Sequence, residues 1–198
     1  MAGKSTSRRS RQSASRSRAG SRSKGGSRSR AASRSNSRDA LNLLRQDHAR
    51  VKELFGRFEK ARSEEQKAKL AETICNELKV HAQIEEDVFY PAVREALEDE
   101  ELIDEAQVEH ESAKQLIAQI EGGSAGDPLF DARVKVLGEY VNHHVEEEEG
   151  ELFREVRRTE LDLVALGGQL AQRKEQLRMR QAVGSGRRPT GDAASATA

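Results

Sequence analysis

Residues 78–91 of this chain read LKVHAQIEEDVFYP, which places His81 and Glu85 four positions apart. In an α-helix, side chains at this spacing leave the same face, with Cβ atoms about 5–6 Å apart. A buried polar side chain without a partner costs about 1–3 kcal/mol, and a bound metal ion would remove that cost. The same face is predicted to be turned toward a core, because it also carries apolar residues at helical spacing: Leu70, Ile74, Leu78 and Val88.

The pattern occurs a second time, in residues 140–153, which read YVNHHVEEEEGELF. His144 and Glu148 repeat the four-residue spacing, 63 positions after the first pair. The apolar pair Leu152-Phe153 follows Glu148 at the same distance at which Phe89-Tyr90 follows Glu85. Two such segments with the same flanks predict a shared site.

The charge of the 198-residue chain is zero overall but segregated. Residues 1–38 contain 12 Lys and Arg and no acidic residue, residues 167–198 carry a net charge of +4, and residues 39–166 carry −16. The acidic middle is expected to fold and to attract cations, and the basic ends to attract polyanions.

Cysteine content and hydropathy exclude several classes of protein. Cys75 is the only cysteine, which rules out an intramolecular disulfide and a thiolate-rich zinc site. We expect it to be a buried or half-buried thiol rather than a redox residue. No apolar run reaches the roughly 18–20 residues of a membrane span. The basic N-terminus lacks the apolar segment of a secretory signal. We therefore expect a cytoplasmic protein without membrane association.

Residues 1–38 consist mainly of Ser, Arg, Gly and Ala, without a large apolar residue after Met1. Such a segment cannot bury enough surface to fold and is predicted to be disordered. It has two interpretations: a solubilising tail, or non-specific binding of DNA, RNA or another polyanion. No aromatic residue is interleaved with the arginines, so stacking on single-stranded bases is not indicated.

The middle of the chain is predicted to be all-α, an up-down-up-down four-helix bundle with an additional C-terminal helix and disordered N- and C-terminal tails. The predicted divisions are a tail at 1–38, the bundle at 39–157, the fifth helix at 158–180 and a tail at 181–198. The first predicted helix begins at the N-cap Asp39, and the second runs from the capping box Ser63–Gln66 to Pro91, where it ends, kinks or continues briefly to Leu97. The third spans about 99–121 before Gly122, and the fourth begins at Asp127–Pro128. The fifth spans about 159–180 and is interrupted at Gly167–Gly168.

Each of the first four helices has one histidine on its apolar stripe. A single histidine there is usually a core residue with its own partner, but one metal centre would satisfy four at once. The donors lack thiolates and are too rich in nitrogen for Ca²⁺ or Mg²⁺, so they suit iron, with manganese or zinc as alternatives. Six ligands exceed the need of one ion with an open position, which favours two ions bridged by the glutamates. The proposed ligands are His48, His81, Glu85, His110, His144 and Glu148.

Several short motifs together resemble the hemerythrin-type HHE cation-binding domain, over about residues 39–157. The resemblance implies a four-helix bundle that holds a non-haem di-iron centre, with the four histidines as terminal ligands and both glutamates as bridges. The motifs are Asp47-His48, His81-x3-Glu85 followed by Phe89-Tyr90-Pro91, Glu109-His110, and His144-x3-Glu148 followed by Leu152-Phe153.

One position departs from the oxygen-carrying hemerythrins, which have a further histidine one turn after the third helix's ligand. Lys114 stands there in this chain, and an ammonium has no lone pair to donate to a metal. The departure predicts an open coordination position for water, peroxide, NO or the carboxylate of Glu111. His143 is a further accessory candidate, although its place on the helix favours a solvated side chain. We expect Tyr90 to be a core residue.

Three functions follow as expectations. The first is a di-iron protein that binds O₂, peroxide or NO as a sensor, scavenger or store. The second is a di-iron redox enzyme of the peroxide-dismutating type, which would use the open position. The third is a nucleic-acid-associated iron-binding stress protein, in which residues 1–38 localise the bundle. The remaining glutamates near His144 are interpreted as an exposed acidic face: Glu146, Glu147, Glu149 and Glu151.

Overall fold

The computed structural model describes residues 39–97 and 100–185, and over these ranges the protein is helical without a β-strand. Two of the long helices continue through a five-residue π-helical segment into a short α-helix. The elements are α1 (Ala40–Lys60), α2 (Glu64–Ile84), π1 (Glu85–Phe89), α3 (Tyr90–Arg94), α4 (Glu101–Glu121), α5 (Phe130–Glu147), π2 (Glu148–Leu152), α6 (Phe153–Val156) and α7 (Leu163–Ser185).

Two predicted helix starts are confirmed by their caps. The Asp39 carboxylate accepts a hydrogen bond from the Asn42 backbone N–H at 2.8 Å. The Ser63 hydroxyl accepts one from the Gln66 N–H at 3.2 Å. Both bonds satisfy a donor that the first helical turn leaves unpaired.

The predicted start of the fourth helix at Asp127–Pro128 is two residues too early. Helix α5 begins at Phe130, and its N-cap Leu129 offers no side-chain hydrogen bond. The Asp127 carboxylate instead accepts a hydrogen bond from the Ser124 N–H at 2.7 Å. It therefore stabilises the preceding loop, an alternative that is always open to aspartate in a turn.

The fifth helix differs from its prediction in both bounds and continuity. It begins at Leu163 rather than near 159, because the Asp162 carboxylate caps it by accepting from the N–H groups of Val164 and Ala165 at 3.1 and 2.9 Å. It continues without a break through Gly167–Gly168 and ends at Ser185. The predicted tail at 181–198 thus starts too early, and residues 186–198, like the predicted tail at 1–38, lie outside the described residues.

The bundle has an apolar–polar–apolar layering that also reveals its topology. The four histidines lie between two buried apolar clusters, one containing Leu44, Ile84, Ala106 and Leu152, the other containing Val51, Leu78, Ile117 and Leu137. Helices α1 and α4 run from the first cluster to the second, whereas α2 and α5 run from the second to the first. The predicted up-down-up-down bundle is therefore confirmed.

Helix α7 is the predicted additional element, and it packs on the outside of the bundle. It contacts α1, α2 and π1, and buries Leu166 and Leu170 in the first cluster. Among the described residues, no helix has both the length and the apolarity that crossing a membrane requires.

Candidate metal centre

The six predicted ligands converge in the polar layer between the two apolar clusters. The residues with their exposed fractions are His48 6%, His81 6%, Glu85 0%, His110 5%, His144 7% and Glu148 3%. His48 and His110 lie near the middle of their helices, and His81 and His144 lie in the last turn of theirs. Each glutamate is the first residue of the π-helical segment that follows. Helical spacing from His81 and His144 thus brings both carboxylates into the same layer.

The inner atoms of this layer lie within a few ångströms of one another. The Nε2 atoms of His48 and His81 are 3.0 Å apart, and those of His110 and His144 are 3.3 Å apart. The Glu85 carboxylate lies between the two pairs, with one oxygen 3.2 Å from His81 Nε2 and the other 3.4 Å from His110 Nε2. An oxygen of Glu148 lies 3.2 Å from His48 Nε2.

A second set of carboxylates surrounds the histidines on their outer side. In each case the carboxylate comes from the neighbouring helix, so that the contacts form a ring around the bundle. Three are hydrogen-bond contacts and the fourth is longer: His48 Nδ1 to Glu149 at 2.7 Å, His144 Nδ1 to Glu109 at 2.8 Å, His110 Nδ1 to Glu86 at 3.1 Å, and His81 Nδ1 to Asp47 at 3.6 Å.

The three short outer contacts indicate which ring nitrogen of His48, His110 and His144 carries the proton, and Asp47 faces the corresponding nitrogen of His81. A carboxylate accepts a hydrogen bond, so the neutral imidazole facing it carries its proton on Nδ1. The Nε2 lone pairs of all four rings then point inward. His48 and His81 consequently present lone pairs to each other at 3.0 Å, a repulsive arrangement that a cation between them would make favourable.

The two inner carboxylates show the same lack of partners. Both oxygens of Glu85 and both of Glu148 are buried without a hydrogen-bond donor among the described residues. Burial, together with the charge of Glu148, raises the pKa of Glu85 well above its usual range. Burial also acts to raise the pKa of Glu148, but its contacts with His48 and His144 outweigh it and lower the pKa. Without a cation, only one of the two carboxylates is readily ionised.

The donor set fits two metal ions better than one. Two groups of inner atoms are close enough to share an ion, one formed by His48, His81, Glu85 and Glu148, the other by Glu85, His110 and His144. Glu85 belongs to both groups, as a bridging carboxylate would. Imidazole nitrogen with carboxylate oxygen is a donor set suited to iron, manganese or zinc.

The centre is closed on one side and has a small cavity on the other. On the closed side the Phe153 ring stacks on His48, with centroids 6.1 Å apart, and the Tyr90 hydroxyl lies 3.5 Å from His110 Nε2. The cavity, of about 40 Å³, borders all four imidazoles. Its other walls are mainly apolar: Val51, Leu78, Ala82, Ala113, Ile117, Val141 and Val145.

The predicted accessory residues lie farther from the inner atoms. The Lys114 ammonium donates to both oxygens of Glu86, at 2.6 and 2.7 Å, and its side chain is 44% exposed. Glu111 is exposed. His143 is 63% exposed and faces Glu147 and Glu109, at 3.2 and 3.7 Å. Lys114 thus contacts Glu86, the outer partner of His110, and also lines the cavity beside the imidazoles.

The outer carboxylates are what the sequence interpretation missed. Glu149 was assigned to an exposed acidic face, but it is half-buried between His48 and Arg45. The available signal was position: each outer carboxylate is adjacent in sequence to an inner ligand. The adjacent pairs are Asp47-His48, Glu85-Glu86, Glu109-His110 and Glu148-Glu149.

The hemerythrin HHE cation-binding domain family matches residues 39–156, more than half of the chain. The protein belongs to this family and is a metal-binding protein of the hemerythrin type, and the predicted resemblance is confirmed.

Two known proteins show how far the similarity extends. A crystal structure of a hemerythrin HHE cation-binding domain-containing protein from Mycobacterium kansasii superposes with a TM-score of 0.63, at 27% identity, over 73% of this chain and 90% of that one. A DNA nickase from Nostoc sp. is 33% identical over 119 residues, 59% of this chain. Our chain spans only about a third of the nickase, 33% of its length.

Proposed function

We propose that this protein holds two non-haem iron ions and binds a small diatomic ligand at them, as a sensor, scavenger or store. The observation that carries the proposal is the convergence of four inward-facing imidazoles and two carboxylates, whose oxygens have no donor in the protein. His48, His81, His110 and His144 would be terminal ligands, and Glu85 and Glu148 would bridge. The irons would supply reversible coordination and redox chemistry for the ligand.

The cavity supports a small, uncharged ligand. A volume of about 40 Å³ accommodates roughly two or three heavy atoms, since one water needs about 10–15 Å³ by this measure. The walls are mainly apolar, and the two lysines that line the cavity, Lys79 and Lys114, are already paired with Glu121 and Glu86, so a charged species finds few free donors. O₂ and NO therefore suit this cavity better than a peroxide anion, which needs donors to replace its hydration.

The protein's own groups hold the centre in a defined state. The outer carboxylates accept the Nδ1 protons of His48, His110 and His144, and Asp47 faces His81 Nδ1 at 3.6 Å, so that the rings are oriented with Nε2 free as a ligand atom. Phe153 and Tyr90 exclude water on the closed side. The Tyr90 hydroxyl, near His110 Nε2, is the nearest side-chain O–H, and the pKa of Tyr90 is raised by burial and then by Glu85, so the group stays protonated.

Metal analysis with visible spectroscopy on anaerobically purified protein tests the proposal. We expect about two irons per chain, spectral changes on adding O₂ or NO, and loss of most iron in His81→Ala and Glu85→Ala. Glu146→Ala is the control, because that glutamate is exposed and is none of the proposed ligands or outer carboxylates, and it should retain both irons. Full iron content in the His81 and Glu85 variants would contradict the assignment. Sustained peroxide turnover would instead favour the di-iron redox enzyme.

A second function, association with nucleic acid, is proposed from the charge of residues 1–38. Twelve cationic residues and no acidic one provide a sequence-independent site for phosphates. The Nostoc relative is described as a DNA nickase, which makes DNA the polyanion to test first.

The experiment compares the full chain with a variant that lacks residues 1–38. We expect the full chain to bind a duplex oligonucleotide with an affinity that falls steeply as salt rises, because each phosphate contact releases a counterion. The shortened protein should lose this binding but keep its iron, since all six proposed ligands follow residue 38. A supercoiled plasmid in the same assay reports nicking. Equal DNA binding by the two proteins would reject a role for the tail.

A further inference from the structure

Helix α7 lies beyond the residues matched by the family, yet it contacts the elements that carry the proposed ligands. It packs on α1, α2 and π1 and contributes Leu166 and Leu170 to the core. Two consecutive cationic residues, Arg173 and Lys174, extend from this helix toward the bundle. Their partners connect α7 to the metal centre.

Lys174 contacts the outer carboxylate of His81. Its ammonium donates to one oxygen of Asp47, and both side chains are only 14% exposed. The other oxygen of Asp47 is buried, has no other partner and lies 3.6 Å from His81 Nδ1. An ion pair so shielded from water is screened less than a surface pair.

Arg173 contacts the π-helical segment that begins with Glu85. Its guanidinium donates to the Asp87 carboxylate at 2.7 Å, and Asp87 is the third residue of π1. The two ion pairs therefore connect α7 to Asp47, the outer partner of His81, and to π1, the segment that begins with Glu85.

The other three outer carboxylates have their further side-chain partners within the bundle itself. Glu86 pairs with Lys114, Glu149 with Arg45, and Glu109 with His143. Asp47 alone depends on α7, and its contact with His81 is the longest of the four, at 3.6 Å.

We infer that Lys174 and Arg173 are positioning residues of the metal centre, through which α7 sets the orientation of His81 and the placement of π1. The inference rests on the proposed metal-binding function. Without Lys174, the buried Asp47 carboxylate can turn toward solvent, and the His81 ring loses the partner that fixes its tautomer.

The test measures iron release rather than activity. Lys174→Met keeps the aliphatic stem and removes the charge; Arg178→Met is the matched control, because it breaks an α7 ion pair with Glu77, which belongs to none of the four histidine–carboxylate pairs. Each protein is loaded anaerobically with Fe²⁺ and challenged with a chelator.

Removing an outer partner typically weakens metal binding about 10–100-fold, and Lys174 contacts the outer partner rather than the histidine itself. We expect iron release about three- to tenfold faster in Lys174→Met, unchanged release in Arg178→Met, and recovery in Lys174→Arg.

Two further measurements separate positioning from general stability. In an Asp47→Asn background, Lys174→Met should add nothing, because the route through Asp47 is already lost. In the metal-free protein, the ¹⁵N resonances of the His81 ring should shift in Lys174→Met but not in Arg178→Met. Equal rates of iron release from Lys174→Met and the parent protein, with an unchanged His81 resonance, would overturn the inference. Helix α7 would then only pack on the outside of the bundle. A parent protein that binds no iron would instead reject the proposed function.

Discussion

At the scale of single residues, Glu85 is where metal binding and stability conflict most directly. Its side chain is 0% exposed, both oxygens lack a donor, and the second inner carboxylate, Glu148, is close. Such a group is unfavourable in a protein without a metal, since a buried unsatisfied polar atom costs about 1–3 kcal/mol. The same lack of partners leaves both oxygens available as ligands.

We predict that Glu85→Gln stabilises the metal-free protein and abolishes full iron binding. At neutral pH the raised pKa of Glu85 means that folding opposes its ionisation, and an amide of the same shape removes that cost. We expect the free energy of unfolding to rise by about 1 kcal/mol or more in urea titrations of chelator-treated protein. The exposed Glu146→Gln is the control and should change neither quantity. A less stable metal-free Glu85→Gln protein would contradict this account.

The convergence of the six proposed ligands was predictable from the sequence, whereas the pairing of each outer carboxylate with a particular histidine was not. A spacing of four residues places His81 and Glu85 on one helix face whatever the tertiary structure. Glu109, in contrast, follows no such rule: it is adjacent to His110 but pairs with His144, 35 positions away. Pairing across helices depends on the rotation of each helix in the bundle, which periodicity along one helix does not report.

At the scale of secondary-structure elements, the π segments are the feature that periodicity could not predict. Each begins at a proposed bridging glutamate, and the Tyr90 N–H bonds to the Glu85 carbonyl, five residues back. A π turn inserts an extra residue without ending the helix, and such turns are frequent at functional sites. The extra residue of the π turn explains why the helix continues through Pro91 into α3. It also explains why the apolar pairs Phe89-Tyr90 and Leu152-Phe153 face the core.

The continuity of α7 provides the second prediction. Gly167–Gly168 suggested an interruption, because glycine in a helix interior costs about 0.5–1 kcal/mol relative to alanine. In the structure the helix continues, and a Cβ added at Gly168 would meet no atom within 4 Å. Gly168→Ala should therefore raise the free energy of unfolding by up to about 1 kcal/mol, measured by urea denaturation.

Gly138→Ala is the informative comparison for Gly168→Ala. There an added Cβ would lie 3.2 Å from the Phe55 ring, so crowding between α5 and α1 should offset the gain in helix propensity. If Gly168→Ala destabilised the protein, the interruption predicted from the sequence would be the better description.

At the scale of the whole molecule, the centre is a polar layer held between two apolar clusters, in a bundle segment whose net charge is −16. Both the buried carboxylates and the surrounding field favour cations. The layering follows from one histidine per apolar stripe, which is why the bundle was predictable. The docking of α7 was not, because it depends on ion pairs between residues about 100 positions apart, such as Arg178 with Glu77.

The third prediction concerns the pH dependence of stability with and without metal. Burial lowers the pKa of His81 to about 4, whereas in the unfolded chain it is near 6.5. The unfolded state therefore binds more protons between these values, so the metal-free protein should lose stability as pH falls from about 6.5 to 4. The loss attributable to His81 is on the order of 3 kcal/mol. It is partly offset by His48: burial lowers the pKa of His48, but its contacts with Glu148 and Glu149 outweigh this and raise it.

Glu85 acts in the opposite direction in the metal-free protein. Its folded pKa lies well above the unfolded 4.5, so its contribution to stability falls as pH rises above 4.5. Bound iron reverses the balance, because it requires unprotonated Nε2 atoms and ionised carboxylates. The stabilisation that iron gives should therefore increase from pH 5 to 7.5, as ligand protonation ceases to compete. Parallel melting curves of iron-loaded and chelator-treated protein across this range measure it, and a difference in melting temperature that stays constant with pH would contradict metal binding by these titratable side chains.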